Sequence, residues 1–488
     1  MKIAYKFLVV LAIITLFCQS CEDFDDKEVP KDLKVNDFVW KGLNLYYLWQ
    51  ADVPDLADER FSNQENLNAF LYNYSSPEQL FQSLLYKPAS LLPKDEAIDR
   101  FSVIYSDYNE LEGVLSGTTK NHGADFGLSY KPGSDTDLFG FIRYILPNSD
   151  AATKDIHRGD IFDAIDGIPL TINNYRQLLA NETHTLNLAD YTGGNFIPNG
   201  RSVTLSKTVL SENPVYLTKV IVSGSHKIGY LIYNGFYPNF ETELNNAFGQ
   251  LKAQGITDFV LDLRYNSGGS VETATHLASM ITGQFNGEVF AKEQWNAKVE
   301  DYYSTHNPED LFNRFGTKIN TGAAINALNM TKMYVLTTGS TASASELVIN
   351  GLKPYIEVVQ IGDKTVGKNV GSITLYDSPT FAKKDVNASH RYAMQPLVLK
   401  IVDKNGSGDY INGLQPNIEQ KENLANLGVL GEPSEPYLAL AINRITGSGK
   451  IFQQQSANVF KRFKDSKTIH PLGDDMYLEK IPAGLNRF

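Results

Sequence analysis

Short apolar runs alternate with amphipathic stretches through the middle of this chain, and that alternation sets its fold class. Lys227-Ile-Gly-Tyr-Leu-Ile-Tyr233 precedes Glu241–Gln254, which carries apolar residues at helical spacing. Thr257-Asp-Phe-Val-Leu-Asp-Leu263 precedes a second such stretch, Glu272–Ile281, and Met333-Tyr-Val-Leu-Thr-Thr338 a third, Glu346–Leu352. Runs that are apolar on both faces suit strands buried between helices. The pattern predicts a layered α/β domain whose chemistry sits in the strand-to-helix loops.

At 488 residues the chain is long for one domain, and two or three are expected. Asp37–Trp49, Asn66–Tyr72 and Pro77–Tyr86 carry apolar residues at helical spacing, which predicts a helical cap over residues 35–111 with its aromatics as its own core. Residues 112–212 read as short strands, among them Asp125–Tyr130 and Phe139–Ile145. The α/β domain spans 213–430, with a polar and aromatic insertion or lid near 287–325. Residues 431–488 read as a helical segment and a tail.

The start of the sequence has the layout of an export signal. Lys2 and Lys6 precede an apolar run from Phe7 to Phe17, too short and wrongly flanked to span a bilayer. Cys18-Gln-Ser-Cys21 and the acidic Glu22-Asp-Phe-Asp-Asp26 follow. This resembles a bacterial lipobox, so residues 1–20 are expected to be a lipoprotein signal, Cys21 the lipidated residue and 21–34 an acidic tether. The expected place is the Gram-negative cell envelope, anchored to the outer membrane on its periplasmic or outer surface. With Cys18 removed and Cys21 acylated no free thiol is left, which excludes disulfides and cysteine–zinc sites. The net charge of −12 argues against nucleic acid as a partner.

The loop Gly339-Ser-Thr-Ala-Ser-Ala-Ser345, just before Glu346, puts small hydroxyl residues between strand and helix, where backbone N–H groups face outward. A serine there is a nucleophile only if a base takes its proton. A buried lysine with a lowered pKa can do so. Lys368, between Gly367 and Asn369, is the candidate base, although a lysine in a loop is by itself ordinarily solvated. An oxyanion hole needs two donors. The Ala344 N–H is one candidate and Gly268 or Gly269 the other, although Asn266-Ser-Gly-Gly269 alone is merely a turn. Ser345 is the rival nucleophile. Glu346 suits the first turn of a helix as a cap. There is no Gly-x-Ser-x-Gly elbow and no His-Glu-x-x-His motif, and the eight histidines are scattered.

Four passages in order, Val260–Gly269, Thr341-Ala-Ser-Ala-Ser-Glu346, Ile361-Gly-Asp-Lys-Thr-Val-Gly-Lys368 and Gly413-Leu-Gln-Pro-Asn417, resemble the C-terminal processing (tail-specific) serine peptidases of the S41 type. Pro147–Ala152 with His157–Gly167 resembles a PDZ domain of the bacterial protease kind, with Phe126, Gly127, Leu128 and Ser129 as its carboxylate-binding loop. The resemblance implies a crotonase-like layered core with an inserted PDZ-like domain, Ser343 as nucleophile, Lys368 as base, no cofactor or metal, and polypeptide substrates. It also implies that the Ser343 hydroxyl and Lys368 amine lie within hydrogen-bond reach. Glu346 matches an acidic position tied to activity in some members. Two positions depart from the family: Ser372 stands where many members have a glutamine that positions the lysine, and Pro354 replaces an aspartate. A non-catalytic peptide-binding lipoprotein on the same scaffold is the competing expectation.

Overall fold

The computed structural model describes residues 28–93, 96–447, 460–469, 472–482 and 484–485. The expected signal segment and the first half of the expected acidic tether, Cys21 included, lie outside the described residues. Described residues up to Arg100 form one compact unit and those from Phe101 onward a second, so the helical unit ends at Arg100 rather than near residue 111.

The first unit is built on helices Lys34–Tyr46 (α1), Gln64–Leu71 (α2) and Pro77–Ser83 (α3). The side chains of Asn63 and Ser76 cap α2 and α3, accepting the Asn66 and Gln79 N–H groups, which satisfies donors that a helix start leaves open. α1 buries Phe38, Val39, Leu43 and Tyr46, so the aromatics do form a core. Tyr47, just after α1, is buried and donates to Asp99 Oδ2 at 2.7 Å.

The second unit holds an antiparallel sheet of Ala124–Tyr130 (β1), Leu138–Ile145 (β2), Ile161–Ile165 (β3), Thr183–Thr192 (β4) and Asn195–Ser206 (β5), with helix Tyr175–Ala180 (α4) packed into its core. β1 is the strand expected over Asp125–Tyr130, so Phe126, Gly127, Leu128 and Ser129 lie within a strand rather than in the carboxylate-binding loop that the PDZ resemblance implies. Phe126 and Leu128 alternate into the core. A Cβ on Gly127 would come within 2.7 Å of the Phe141 ring, so glycine there lets β2 lie close.

The expected layered α/β part is built on a mainly parallel sheet. Its order is Val215–Ser223 (β6), His226–Tyr233 (β7), Asp258–Asp262 (β8), Lys332–Thr337 (β12), Glu357–Gly362 (β13) and Ile418–Glu419 (β16), parallel except at the β6–β7 edge. Helix Pro436–Thr446 (α8) covers one face, through Tyr437, Leu438 and Ala441 against Tyr230, Val260 and Leu336. Leu231, Leu261 and Val335, at alternate positions, are buried too. Burial on both faces is why these strands read as continuous apolar runs. Glu241–Ala253 (α5), Val271–Thr282 (α6) and Ala344–Leu352 (α7) are the crossover helices.

A third sheet was not legible. Its order is Gly269–Ser270 (β9), Met476–Leu478 (β18), Val370–Ile373 (β14), Leu397–Asp403 (β15), Val289–Trp295 (β10) and Phe312–Arg314 (β11). The stretch read as an insertion or lid thus supplies two strands, β10 and β11, around the helix Ala297–His306. Lys292 and Gln294, on the less buried face of β10, hid its alternation. The stretch read as helix and tail holds α8 as expected. Beyond it, Arg462–Asp465 (β17) pairs with β1, and β18 lies between β9 and β14.

A buried ionic cluster fixes the end of β8. Arg264 donates to Asp262 Oδ2 and to Glu435 Oε1, both at 2.7 Å, and Tyr230 OH donates to Asp262 Oδ2 at 2.6 Å. Glu435 also accepts the Leu438 N–H and so caps α8. Removing one member of a buried ion pair leaves the others uncompensated. Arg264→Met is therefore expected to lower the unfolding free energy by about 3–5 kcal/mol, read as a drop in the urea midpoint at unchanged slope. A loss within experimental error would mean that the cluster is not coupled to folding.

Candidate active site

Three loops meet at the C-terminal ends of the adjacent parallel strands β8, β12 and β13, the usual place for a site in such a sheet. They carry Arg264–Gly269, Gly339–Ser343 and Lys364–Lys368. The apolar strands of the sequence thus end in the three passages singled out there.

Ser343 is the N-cap of α7, with φ 65° and ψ −118°. A non-glycine residue with positive φ costs energy and is held by its surroundings. Here Glu346 Oε2 accepts the Ser343 N–H at 2.8 Å, the Leu347 N–H donates to the Ser343 carbonyl, and the Ala342 N–H donates to the Asn266 carbonyl. Ser343 is fully buried, and its Oγ has no hydrogen-bond partner. Ser345 is equally buried, but its Oγ donates to the Asn266 carbonyl at 3.1 Å. Of the two hydroxyls, only that of Ser343 makes no hydrogen bond, although it stands in capping-box position toward the Glu346 N–H.

Glu346 ties the serine loop to the lysine loop. Its Oε2 also accepts the Lys368 N–H at 2.8 Å, and its Oε1 accepts the Gly367 N–H at 2.7 Å and the Thr365 hydroxyl. Burial pushes this carboxyl above its ordinary range, against the pull of those hydrogen bonds. The cap expected from sequence is present, and the same side chain also fixes where Lys368 leaves the backbone.

Lys368 is buried, with Nζ 4.6 Å from the Phe101 ring centroid. The expected hydrogen bond to Ser343 is not formed. Nζ instead donates to Asp475 Oδ1 at 2.7 Å. Ser372 Oγ lies 3.0 Å from each oxygen of the same carboxylate and accepts from Gln395 Nε2 at 3.0 Å. Ser372 thus reaches the lysine through Asp475. Asp475 was missed because it lies in the stretch read as a tail. Its only sequence signal is the acidic pair Asp474-Asp475 before the short apolar run Met476-Tyr-Leu478.

The glycine loop lies against the serine. At Gly268 (φ 121°) a Cβ would stand 2.9 Å from Ser343 Oγ and 2.4 Å from the Asp475 carbonyl oxygen, so no side chain fits. The Gly268 N–H donates to Asn266 Oδ1 at 2.9 Å, and the Gly269 N–H to the Asp475 carbonyl at 2.7 Å. Neither expected glycine donor is therefore free. Ala344 opens α7, and the N–H of a first helical residue has no intrahelical acceptor. Beside this loop a cavity of about 130 Å³ runs past Gly268, Tyr144, Glu212 and Tyr237. Among the described residues no cluster of side chains suits a metal ion.

Comparison with known proteins agrees with this architecture. The model of peptidase family S41 matches residues 227–419, which hold the parallel sheet and all three loops, and that of the peptidase S41 N-terminal domain matches residues 34–103. A carboxyl-terminal-processing protease of Picosynechococcus is 26% identical over 260 residues, 52% of this chain and 57% of its own. Carboxyl-terminal-processing peptidase 2 of Arabidopsis thaliana chloroplasts is 29% identical over 258 residues, 50% of this chain and 45% of its own. The chain thus spans about half the length of the curated relatives it matches. A crystal structure from Bacteroides fragilis assigned to the S41 proteases superimposes with a TM-score of 0.63 at 25% identity, covering 84% of this chain and 97% of that one. The two family models lie in order along more than half of the sequence and enclose the serine, lysine and glycine loops, so the chain belongs to peptidase family S41.

Proposed function

We propose that this chain is a serine endopeptidase that hydrolyses peptide bonds in polypeptides of the cell envelope or its surroundings, with Ser343 as nucleophile and Lys368 as base. The observation that carries the reading is the uncommitted, buried Ser343 Oγ, held at a strained helix start by the carboxylate that also positions Lys368. A nucleophilic serine needs a base in reach, and the carboxylate that holds the Ser343 backbone also holds the backbone from which the Lys368 side chain leaves.

In the reaction, Lys368 Nζ takes the Ser343 proton as Oγ attacks the carbonyl carbon of the scissile bond. The Ala344 N–H stabilises the oxyanion, joined by the Gly269 N–H once the Asp475 carbonyl has left it. Lys368 then protonates the leaving amine, and water hydrolyses the acyl-enzyme through the same base. No step calls for a metal or cofactor. The β1–β5 sheet with α4 serves as a PDZ-like module that captures an extended substrate segment, C-termini among them, by adding a strand at the edge of β1. The α/β part is read as a crotonase-like layered core.

Cys21 is proposed as the lipid anchor that keeps the enzyme at the envelope. No described helix is long and apolar enough to cross a membrane. Expressed in a Gram-negative host, the full chain should partition into detergent and incorporate labelled palmitate, and Cys21→Ala should do neither. Equal labelling of the two would refute the anchor.

With an unfolded, dye-labelled casein as substrate, Ser343→Ala should abolish hydrolysis. Lys368→Ala should lower kcat by roughly 10²–10⁴-fold, the usual contribution of a general base. Full cleavage by Lys368→Ala would refute the serine–lysine mechanism, and full cleavage by Ser343→Ala would refute the site. Glu346→Gln replaces one of two accepting oxygens by a donor that faces backbone N–H groups. It should cost about 1–3 kcal/mol of stability and lower kcat more than it changes KM. Wild-type values for both would show that the carboxylate does not organise the loops.

A further inference from the structure

One segment of the chain engages each part that the proposed reaction needs. β17 lies antiparallel on the edge of β1, with Arg462 opposite Ser129, Lys464 opposite Leu128 and Asp465 opposite Gly127. Beyond the paired residues, the Tyr130 N–H donates to the Lys461 carbonyl and the Ser466 N–H to the Phe126 carbonyl, each at 2.9 Å. Phe463 packs edge-on against Tyr130 and against Tyr175 at the start of α4, at centroid distances of 5.4 and 5.1 Å. A strand added to an open edge, with an apolar side chain seated beside the neighbouring helix, is the geometry of an extended peptide ligand.

The same segment continues into the catalytic loops. Asp465 Oδ2 accepts the Ser340 hydroxyl at 2.9 Å, next to the serine turn, and lies 3.3 Å from Arg143 Nη1. Further on, the Asp475 carbonyl takes the Gly269 N–H and stands against Gly268 beside Ser343 Oγ. The Asp475 carboxylate takes the Lys368 amine. β18 then fills the space between β9 and β14, pairing with Gly269–Ser270 on one side and with Ser372 and Ile373 on the other. An ammonium paired with a carboxylate has no lone pair for a serine proton. A backbone carbonyl on Gly269 occupies the donor that an oxyanion would need.

We infer that residues Phe460–Ile469 and Leu472–Glu479 are a built-in competing ligand that holds the site closed, and that an extended polypeptide opens it by displacing β17 from the edge of β1. The inference rests on the reading of Ser343 and Lys368 given above and adds the regulation of that site. The displacing partner is defined by its chemistry: a segment free to form a strand, with an aromatic or large apolar residue for the place of Phe463. The closed state is held by the backbone ladders of β17 and β18, the contacts of Phe463 with Tyr130 and Tyr175, and the ion pairs of Asp465 with Arg143 and of Asp475 with Lys368. An incoming peptide replaces the β17 ladder and the aromatic contacts in kind, and the Asp475 ion pair is given up as Lys368 becomes free to act.

The test uses the full chain and the dye-labelled casein. Asp475→Asn and Phe463→Asp should each raise kcat/KM roughly tenfold over wild type, as expected when a competent state that was a minor fraction becomes dominant. A synthetic peptide spanning residues 460–480 should inhibit the Phe463→Asp variant by raising KM at unchanged kcat. The same peptide with Phe463→Ala and Asp475→Asn should not inhibit. A fall in kcat/KM for Asp475→Asn, in a protein that melts as wild type does, would make Asp475 a working part of the site and overturn the inference. So would absence of competition by the peptide. A binding readout needs no chemistry: in a Ser343→Ala background, the fluorescent peptide should bind the Phe463→Asp chain roughly tenfold more tightly than the chain that keeps Phe463. Tight binding with no hydrolysis by any variant would sink the serine–lysine reading and leave the competing ligand standing. Ser343-dependent hydrolysis that neither substitution raises would sink the competing ligand alone.

Discussion

The Glu346 carboxylate is the contact on which the geometry of the site depends. Its two oxygens accept three backbone N–H groups and one hydroxyl from two separate loops. A buried carboxylate left unpaired is costly, and one that accepts several donors is a rigid joint. Through it, the strained backbone of Ser343 and the start of the Lys368 side chain are set by the same few atoms. The parallel sheet supplies the rest of the frame, since β8, β12 and β13 end side by side and deliver the three loops together. The Arg264 cluster locks the first of those loops to α8.

Much of this was legible because burial on both faces leaves a plain mark in the sequence. The strands ending at Asp262 and Thr337 read as apolar runs, and the glycine and serine passages stand directly after them. The choice of Ser343 over Ser345 was taken from family resemblance, and a hydrogen bond now gives it a physical reason: the Ser345 hydroxyl is spent on the Asn266 carbonyl. The glycines were placed correctly beside the serine, but their N–H groups proved to be engaged, one within its own loop and one by Asp475.

What sequence did not show is carried by contacts between distant parts of the chain. The apolar pattern predicts a strand over Asp125–Tyr130, and the strand forms; the carboxylate-binding loop that the PDZ resemblance implies at Phe126–Ser129 does not, because those residues are spent on pairing and on the packing of Phe141 over Gly127. β10 hid behind its polar face. β17 and β18 are too short to announce themselves, and their pairing is wholly long-range. Asp475 follows from that pairing, and no local pattern could have assigned it to Lys368. Ser372 makes no direct hydrogen bond to the lysine, and its hydroxyl is spent on the same Asp475 carboxylate.

In the reading proposed above the site is closed: the Ser343 hydroxyl is unpartnered, Lys368 is bound to Asp475, and the Gly269 N–H is taken by the Asp475 carbonyl. The central claim of that reading is that Ser343 is activated by Lys368 and restrained by Asp475. The most direct measurement is the rate at which a fluorophosphonate modifies the full chain, with the adduct located by peptide mass spectrometry. The account predicts a single adduct on Ser343, formed faster in Asp475→Asn than in wild type and lost in Lys368→Ala. An adduct on Ser345, or modification of Ser343 at the same rate in all three proteins, would contradict it.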